Sequence, residues 1–256
     1  MRLTTIGTGT AAPNPGRVSA GHLVEAAEVR LLLDCGSGVV HRMASLNVDW
    51  RAITHVALTH FDADHTSDLA TLCIAWRYGQ LPPRSAPVEI IGPQGLQTLV
   101  ERVAELFWPR LLDDAGYQLT IRELAPGEGL DLPGGVRLDT RKVPHTAESI
   151  AYSITDGGRR IVYTGDTAFD AGLGEWARGC DVMLCECSLP AEMSVESHLT
   201  PEGCAALARI ASPKHLALTH FYPPVERVDV RAIVAVEFGG PVTLAADGWN
   251  IEIEEP

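Results

Sequence analysis

Six consecutive residues, His60-Phe61-Asp62-Ala63-Asp64-His65, carry two imidazoles and two carboxylates directly after an apolar run, Val56-Ala57-Leu58. The run reads as a buried strand. His60, Asp62 and Asp64 then alternate as the strand leaves its sheet, and His65 opens the following helix. Four ionisable groups this close repel or desolvate one another unless something neutralises them. A divalent metal does that, and imidazole with carboxylate suits zinc, with manganese or iron as alternatives. The plainer alternative is a polar turn in which Asp64 caps a helix from Thr66 onward. That reading would serve one such residue; four together favour the metal.

Further groups of the same chemistry stand at the ends of other predicted strands. His145 follows the strand Val136 to Val143, Asp166 follows Arg160 to Tyr163, and Glu186 follows Asp181 to Cys185. His220 follows Leu216 to Thr219, and its setting repeats that of His60: from His55 to Phe61 and from His215 to Phe221 the chain agrees everywhere except Val56 against Leu216. This is an internal repeat, and it predicts two similar halves, each bringing a histidine from a strand end to a shared seam. His60, Asp62, Asp64, His65, His145, Asp166 and His220 are more groups than one ion needs. They suit two ions about 3.5–4 Å apart that share one carboxylate, an arrangement of hydrolytic chemistry. His198 lies in a loop ahead of a helix, where a free imidazole could protonate a leaving group, and Glu186 could orient it. Asp34, at the end of the strand Val29 to Asp34, is either a helix cap or support for the histidines. His22, His41, His55 and His215 lack a carboxylate partner in sequence and read as structural.

The elements that must position these groups alternate between strand and helix. Arg2 to Gly7 reads as a strand followed by the glycine-rich turn Gly7 to Pro13, a tight loop near a site rim rather than a dinucleotide fingerprint. A hairpin spans His22 to Asp34, and a helix runs from Val39 to Leu46. Ile53 to Thr59 feeds the metal motif and Ser67 to Tyr78 is the helix after it. Val88 to Ile91 is a strand and Gln94 to Phe107 a helix with Leu96, Leu99, Val100, Val103 and Leu106 on one face. Trp108 to Tyr117, irregular and aromatic at both ends, is expected to form a lid or rim. Leu119 to Leu124 is a strand, and Ile150 to Ile154 pairs with Arg160 to Tyr163 about Asp156-Gly157-Gly158. Pro201 and Glu202 start a helix that runs to about Ala211. Sites at strand ends and a duplicated plan predict a layered α/β architecture.

The chain has 256 residues and a formal charge of −13 at pH 7, so it does not offer the broad basic surface expected for nucleic acid, although a local basic pocket is compatible with that charge. Its six cysteines show no framework spacing and are expected to be reduced and mostly buried. Arg2 to Ile6 alternates like a strand rather than a signal peptide, and no apolar run approaches the roughly 20 residues of a membrane helix. The expected location is the cytoplasm, with no membrane partner.

Over nearly its whole length the chain resembles the metallo-β-lactamase-fold hydrolases, and within them the ribonuclease Z-like phosphodiesterase branch. Leu3 to Pro13 resembles that branch's first strand and turn, Leu33-Asp34-Cys35-Gly36 its first motif, and Thr59 to Leu69 its His-x-His-x-Asp-His motif. Pro144-His145 resembles the third motif and Tyr163 to Thr167 the bridging aspartate. Cys185-Glu186-Cys187-Ser188 and Ser197-His198-Leu199-Thr200 resemble the motifs that set this branch apart, and Leu218 to Pro223 its last ligand motif. The resemblance implies a four-layer αβ/βα sandwich in one domain spanning 1–256, with two metals, zinc first, in the cleft between the sheets. Carried over, His60, Asp62 and His145 hold one metal and Asp64, His65 and His220 the other, with Asp166 bridging. A hydroxide shared by the metals attacks phosphorus, Asp64 receives its proton, and His198 with Glu186 assists the leaving oxygen. The resemblance also implies a homodimer.

Two departures shape the expectation. Asp62 stands where the family usually has histidine, which adds a harder, anionic ligand and lowers the positive charge facing a phosphate. Ribonuclease Z proper also carries a long tRNA-gripping arm between the third motif and the bridging aspartate. Here only Thr146 to Gly165 separates His145 from Asp166, so a small or cyclic phosphodiester is expected in preference to tRNA. The alternatives are a lactone, thioester or sulfate-ester hydrolase of the same fold, against which the Glu186 and His198 pair argues, and a non-hydrolytic metal-binding regulatory protein, which a metal count would separate.

Overall fold

The computed structural model describes residues 1–255. The first half runs β1 (Arg2–Gly7), β2 (Gly21–Ala26), β3 (Val29–Leu33), α1 (Val39–Ser45), β4 (His55–Ala57), α2 (Ala63–Thr66), α3 (Leu69–Tyr78), β5 (Val88–Gly92), α4 (Leu96–Phe107) and β6 (Leu119–Glu123). The second runs β7 (Gly129–Asp131), β8 (Arg137–Lys142), β9 (Ile150–Asp156), β10 (Arg159–Tyr163), α5 (Ala171–Ala177), β11 (Val182–Glu186), α6 (Pro201–Ala211), β12 (His215–Thr219), α7 (Val230–Val234), β13 (Val242–Leu244) and β14 (Asn250–Glu252). They form two seven-stranded sheets, β14-β1-β2-β3-β4-β5-β6 and β13-β12-β11-β10-β9-β8-β7.

Strands buried on both faces explain the layering. In β3, Leu31 and Leu33 face a core shared with Leu138, Tyr152, Ile161 and Leu184 of the second sheet. Leu32 points the other way, onto a core with Met43 of α1, Leu72 and Trp76 of α3 and Val100 of α4. In β11 and β12, Leu184 and Ala217 point inward, while Met183, Leu216 and Leu218 meet Leu173 of α5 and Leu207 of α6. Alternate residues of one strand thus serve two cores. Each such Leu or Ile, once buried, contributes about 1.5–3 kcal/mol. The result is helix, sheet, sheet, helix, the four-layer αβ/βα sandwich expected from the sequence. The repeated segments become β4 and β12, each flanked by parallel neighbours in its own sheet.

Several expectations need adjustment. β4 is only three residues long, the helix expected from Ser67 begins at Leu69 as α3, and the end of the metal motif forms the short helix α2. The alternative of a helix capped by Asp64, set aside in favour of the metal, does not form either; Asp62 holds the N-cap position without a side-chain cap bond. The segment 108–117 is no lid: Trp108, Leu111 and Tyr117 are buried in the core beneath the first sheet, and the Tyr117 hydroxyl donates to the Cys73 carbonyl at 3.1 Å. It leads into the start of β6, parallel to β5 and β4, and so lies at the end opposite the metal motif. The short edge strands β7, β13 and β14 were not legible; β14 crosses back to pair with β1. All six cysteines are free and buried. Among the described residues no helix is long and apolar enough to cross a membrane.

Candidate metal centre

In each half, parallel strands deliver their carboxyl ends to one side of the sandwich, the place where sheet geometry leaves a crevice. The loops after β3, β4, β10, β11 and β12 therefore converge, and the loop after β8 joins them. Three sharp turns aim the side chains: Asp34, Gly165 and His220 have φ of 57°, 57° and 59°. Close approach also requires glycine at 36, where a Cβ would lie 1.9 Å from the Asp64 carbonyl oxygen.

All nine residues singled out by the sequence meet there. His60, Asp62 and His145 form one group with ligand atoms mutually within 4.8 Å, and Asp64, His65 and His220 form a second. Asp166 lies between them. Its Oδ1 is 3.3 Å from His65 Nε2, and its Oδ2 is 3.4 Å from His220 Nε2, 3.8 Å from His60 Nε2 and 3.9 Å from His145 Nε2. Asp62 Oδ2 sits 3.3 Å from His145 Nε2, and Asp64 Oδ2 3.4 Å from His220 Nε2.

Hydrogen bonds behind the cluster set the tautomers. His65 Nδ1 donates to Asp34 Oδ2 at 2.8 Å, and His145 Nδ1 to the Ser197 carbonyl at 3.1 Å. Ser188 gives its proton to Glu186, so its Oγ accepts from His220 Nδ1 at 2.9 Å. Thr59 gives its proton to Asp34, so its Oγ1 accepts from His60 Nδ1 at 2.9 Å. Each histidine therefore spends its Nδ1–H behind the site and presents an Nε2 lone pair to the centre. Two of these, on His65 and His220, face each other at 3.3 Å. The buried His60 Nε2 and Asp166 Oδ1 have no hydrogen-bond partner. Lone pairs and carboxylate oxygens converging with no donor between them call for cations, and an N,O set of this kind suits zinc, manganese or iron(II). Burial opposes a charge on His65, yet Asp166 and Asp34 outweigh it and raise its pKa well above the ordinary range, so a proton takes the Nε2 lone pair wherever no cation does. Burial also opposes ionising Asp166, yet His220 and His65 hold it well below the carboxylate range.

Beside the cluster stands a second, rigid unit. Glu186 is fully buried and accepts from Thr167 N, Ser188 Oγ and Leu199 N, and its two oxygens lie 3.1 and 3.2 Å from His198 Nδ1. That bond commits Nδ1 and leaves Nε2 free of Glu186. Burial lowers the His198 pKa, but the hydrogen bond and charge of Glu186, with Asp166 and Asp64, raise it to about 9. His198 Nδ1 is 3.8 Å from Asp166 Oδ2.

Asp34 supports His65 as the sequence allowed, and it also accepts from Thr59 N at 2.7 Å and from Tyr163 OH at 2.8 Å. Ser188, Thr59, Tyr163 and the Ser197 carbonyl were not anticipated. Each is next to a motif residue or within a motif, but its role depends on contacts across the fold. His55 and His215 are tied to Thr54 and Thr243, consistent with structural roles. His22 is fully buried against the Tyr163 ring, with centroids 4.9 Å apart.

A sandwich of two mixed sheets with ligand-bearing loops at the strand ends of both is a metallo-β-lactamase fold. Residues 29–221 match the beta-lactamase superfamily domain, and the chain belongs to that family. Over 100% of its length it is 28% identical to Ribonuclease Z of Mycobacterium avium (strain 104), spanning 99% of that protein. It superposes on the metallo-beta-lactamase fold protein YhfI from Bacillus subtilis with a TM-score of 0.81 at 23% identity, over 98% of each chain. On the short form of human tRNase Z the TM-score is 0.79 at 24% identity, over 99% of this chain and 100% of that one.

Proposed function

We propose that the protein is a metal-dependent phosphodiesterase acting on small or cyclic phosphodiesters. His60, Asp62 and His145 would hold one divalent ion and Asp64, His65 and His220 the other, with Asp166 between them. The ions, zinc first, would supply Lewis acidity and lower the pKa of water. The chain's own groups supply the proton traffic. As water oxygen bonds to phosphorus, one of its protons passes to Asp64. As the ester P–O bond breaks, the departing oxygen takes a proton from His198, which Glu186 holds in place and keeps charged.

The observation that carries this reading is the Glu186–His198 pair, prearranged beside the ligand cluster. A charged imidazole at that place is suited to protonating the oxygen that leaves phosphorus. A second reading, maturation of tRNA, is favoured by full-length similarity to a Ribonuclease Z. Against it, residues 146–165 contain only β9 and β10 and their turn, both strands lie inside the second sheet, and no arm projects to grip a long RNA.

The test pairs metal analysis with turnover of bis(p-nitrophenyl) phosphate and of a 3′-extended tRNA by protein reconstituted with zinc or manganese. Two metals per chain and release of nitrophenol without tRNA cleavage are expected. Efficient tRNA cleavage would favour the second reading. Two metals with neither activity would redirect the search to lactones and thioesters, and fewer metals with no turnover would point to a binding or regulatory protein.

A further inference from the structure

The charge around this cleft is one-sided. The segments that build it, 34–38, 58–68, 143–149, 164–170, 186–200 and 220–224, contain no Lys or Arg. They do contain acids outside the catalytic set: Glu148, half-buried, and Glu192 and Glu196, both exposed, in the loop that leads to His198. Three of the cations near these segments are committed elsewhere, whereas Arg227, exposed three residues past Pro224, is not. Lys142 Nζ donates to the carbonyls of Val143, Thr146 and Ser149, which uses all three of its protons. Arg17 is spread between Thr8 Oγ1, the Ala245 carbonyl and Glu226. Arg141 pairs with Asp170. The ligand set adds its own sign: two divalent ions would bring four positive charges against the carboxylates of Asp62, Asp64 and Asp166.

The same rim exposes apolar side chains. Phe169, three residues past Asp166, is 48% exposed, and Met193 and Val195, between Ser188 and His198, are 50% and 45% exposed. Backbone bonds tie both segments to the site: Ala168 N donates to the Pro144 carbonyl at 2.8 Å, and His198 N to the Val195 carbonyl at 3.3 Å. The Tyr222 ring stands 6.3 Å from that of His198. Large apolar groups on the rim of a polar centre are suited to holding an organic group. A polyanion approaching the same rim meets carboxylates and, in the segments that build it, no Lys or Arg, the opposite of the electrostatic funnel that nucleic-acid enzymes use.

We infer that the cleft takes mono-anionic esters whose organic arms are apolar and carry no negative charge of their own. This rests on the phosphodiesterase reading and narrows it: specificity comes from apolar contact with Phe169, Met193 and Val195 and from repulsion by Glu192 and Glu196.

The test compares the p-nitrophenyl ester of thymidine 5′-phosphate with the same ester carrying a further 3′-phosphate, using zinc-reconstituted protein. The added phosphate should raise KM about tenfold or more while kcat changes less. Glu192→Lys combined with Glu196→Lys should narrow that gap severalfold, and Phe169→Ala should raise KM for bis(p-nitrophenyl) phosphate severalfold at unchanged kcat. Equal or tighter use of the 3′-phosphate ester, or a gap that charge reversal leaves untouched, would overturn the inference. Should no ester be cleaved, the phosphodiesterase reading falls by itself. The preference is then measured by calorimetry with methyl phenylphosphonate and methyl 4-carboxyphenylphosphonate, whose phosphonate ester groups are mono-anionic: weaker binding of the carboxylated compound supports it and equal or tighter binding overturns it.

Discussion

Asp34→Asn tests whether the hydrogen bonds behind the histidines govern metal binding. Asp34 is fully buried and meets donors on every side: Thr59 N at 2.7 Å, Tyr163 OH at 2.8 Å and His65 Nδ1 at 2.8 Å. An asparagine keeps one oxygen, which the Thr59 N–H claims because a buried backbone donor cannot go unpaired. Its NH₂ group then faces His65. Two donors cannot share that bond, so His65 must move its proton to Nε2, the nitrogen that points at the metal. Loss of such support costs 10–100-fold in metal affinity, or about 1.4–2.7 kcal/mol. A zinc titration against a chromophoric chelator should show the weaker affinity at the Asp64/His65/His220 group, with a smaller change at the group of Asp62 and His145, neither of which touches Asp34. Circular dichroism establishes that the variant is folded. If it is not, Tyr163→Phe removes one donor while keeping the carboxylate, and should leave zinc affinity nearly intact. A folded Asp34→Asn protein that binds both zinc ions as the parent does would refute the tautomer argument.

Three further outcomes are expected. His198→Ala should lower kcat about 10²–10⁴-fold at unchanged metal content; because His198 also falls within ligand distance of His145 and Asp166, a lost metal would reassign it as a ligand. Asp62→His should strengthen zinc binding at the first group about tenfold by replacing a half-exposed carboxylate with an imidazole, and an unchanged titration would remove Asp62 from the ligand set. Gly165→Ala places a Cβ 2.8 Å from Thr59 Cβ at a φ of 57°, so thermal unfolding should show a loss of about 1–3 kcal/mol; no loss would mean that the turn before Asp166 has room to spare.

The legible part of the site was the part that chemistry forces to be local. His60, Asp62, Asp64 and His65 must leave one strand end together, and His220 repeats His60 because β12 repeats β4. Ser188, Thr59 and Tyr163 were not legible, since a hydroxyl two residues from a glutamate becomes a histidine's acceptor only through the fold. The aromatic segment 108–117 misled for a related reason: Trp108 and Tyr117 have the composition of a lid, but the parallel course of β4, β5 and β6 places them at the far end, where they fill a core. The edge strands β7, β13 and β14 are three residues each, too short for a period-two pattern to register.

The division of the ligands between the sheets has a consequence for how the protein is made. His65 and His220 lie 155 residues apart in the chain, yet their Nε2 atoms meet at 3.3 Å. A nascent chain that has reached only β6 carries His60, Asp62, Asp64 and His65 without Asp166 or His220, which on the proposed assignment is an incomplete grip for either ion. On that assignment full metal loading would follow synthesis of the second sheet and closure of the sandwich, and a loaded centre would record that both halves have been assembled against each other.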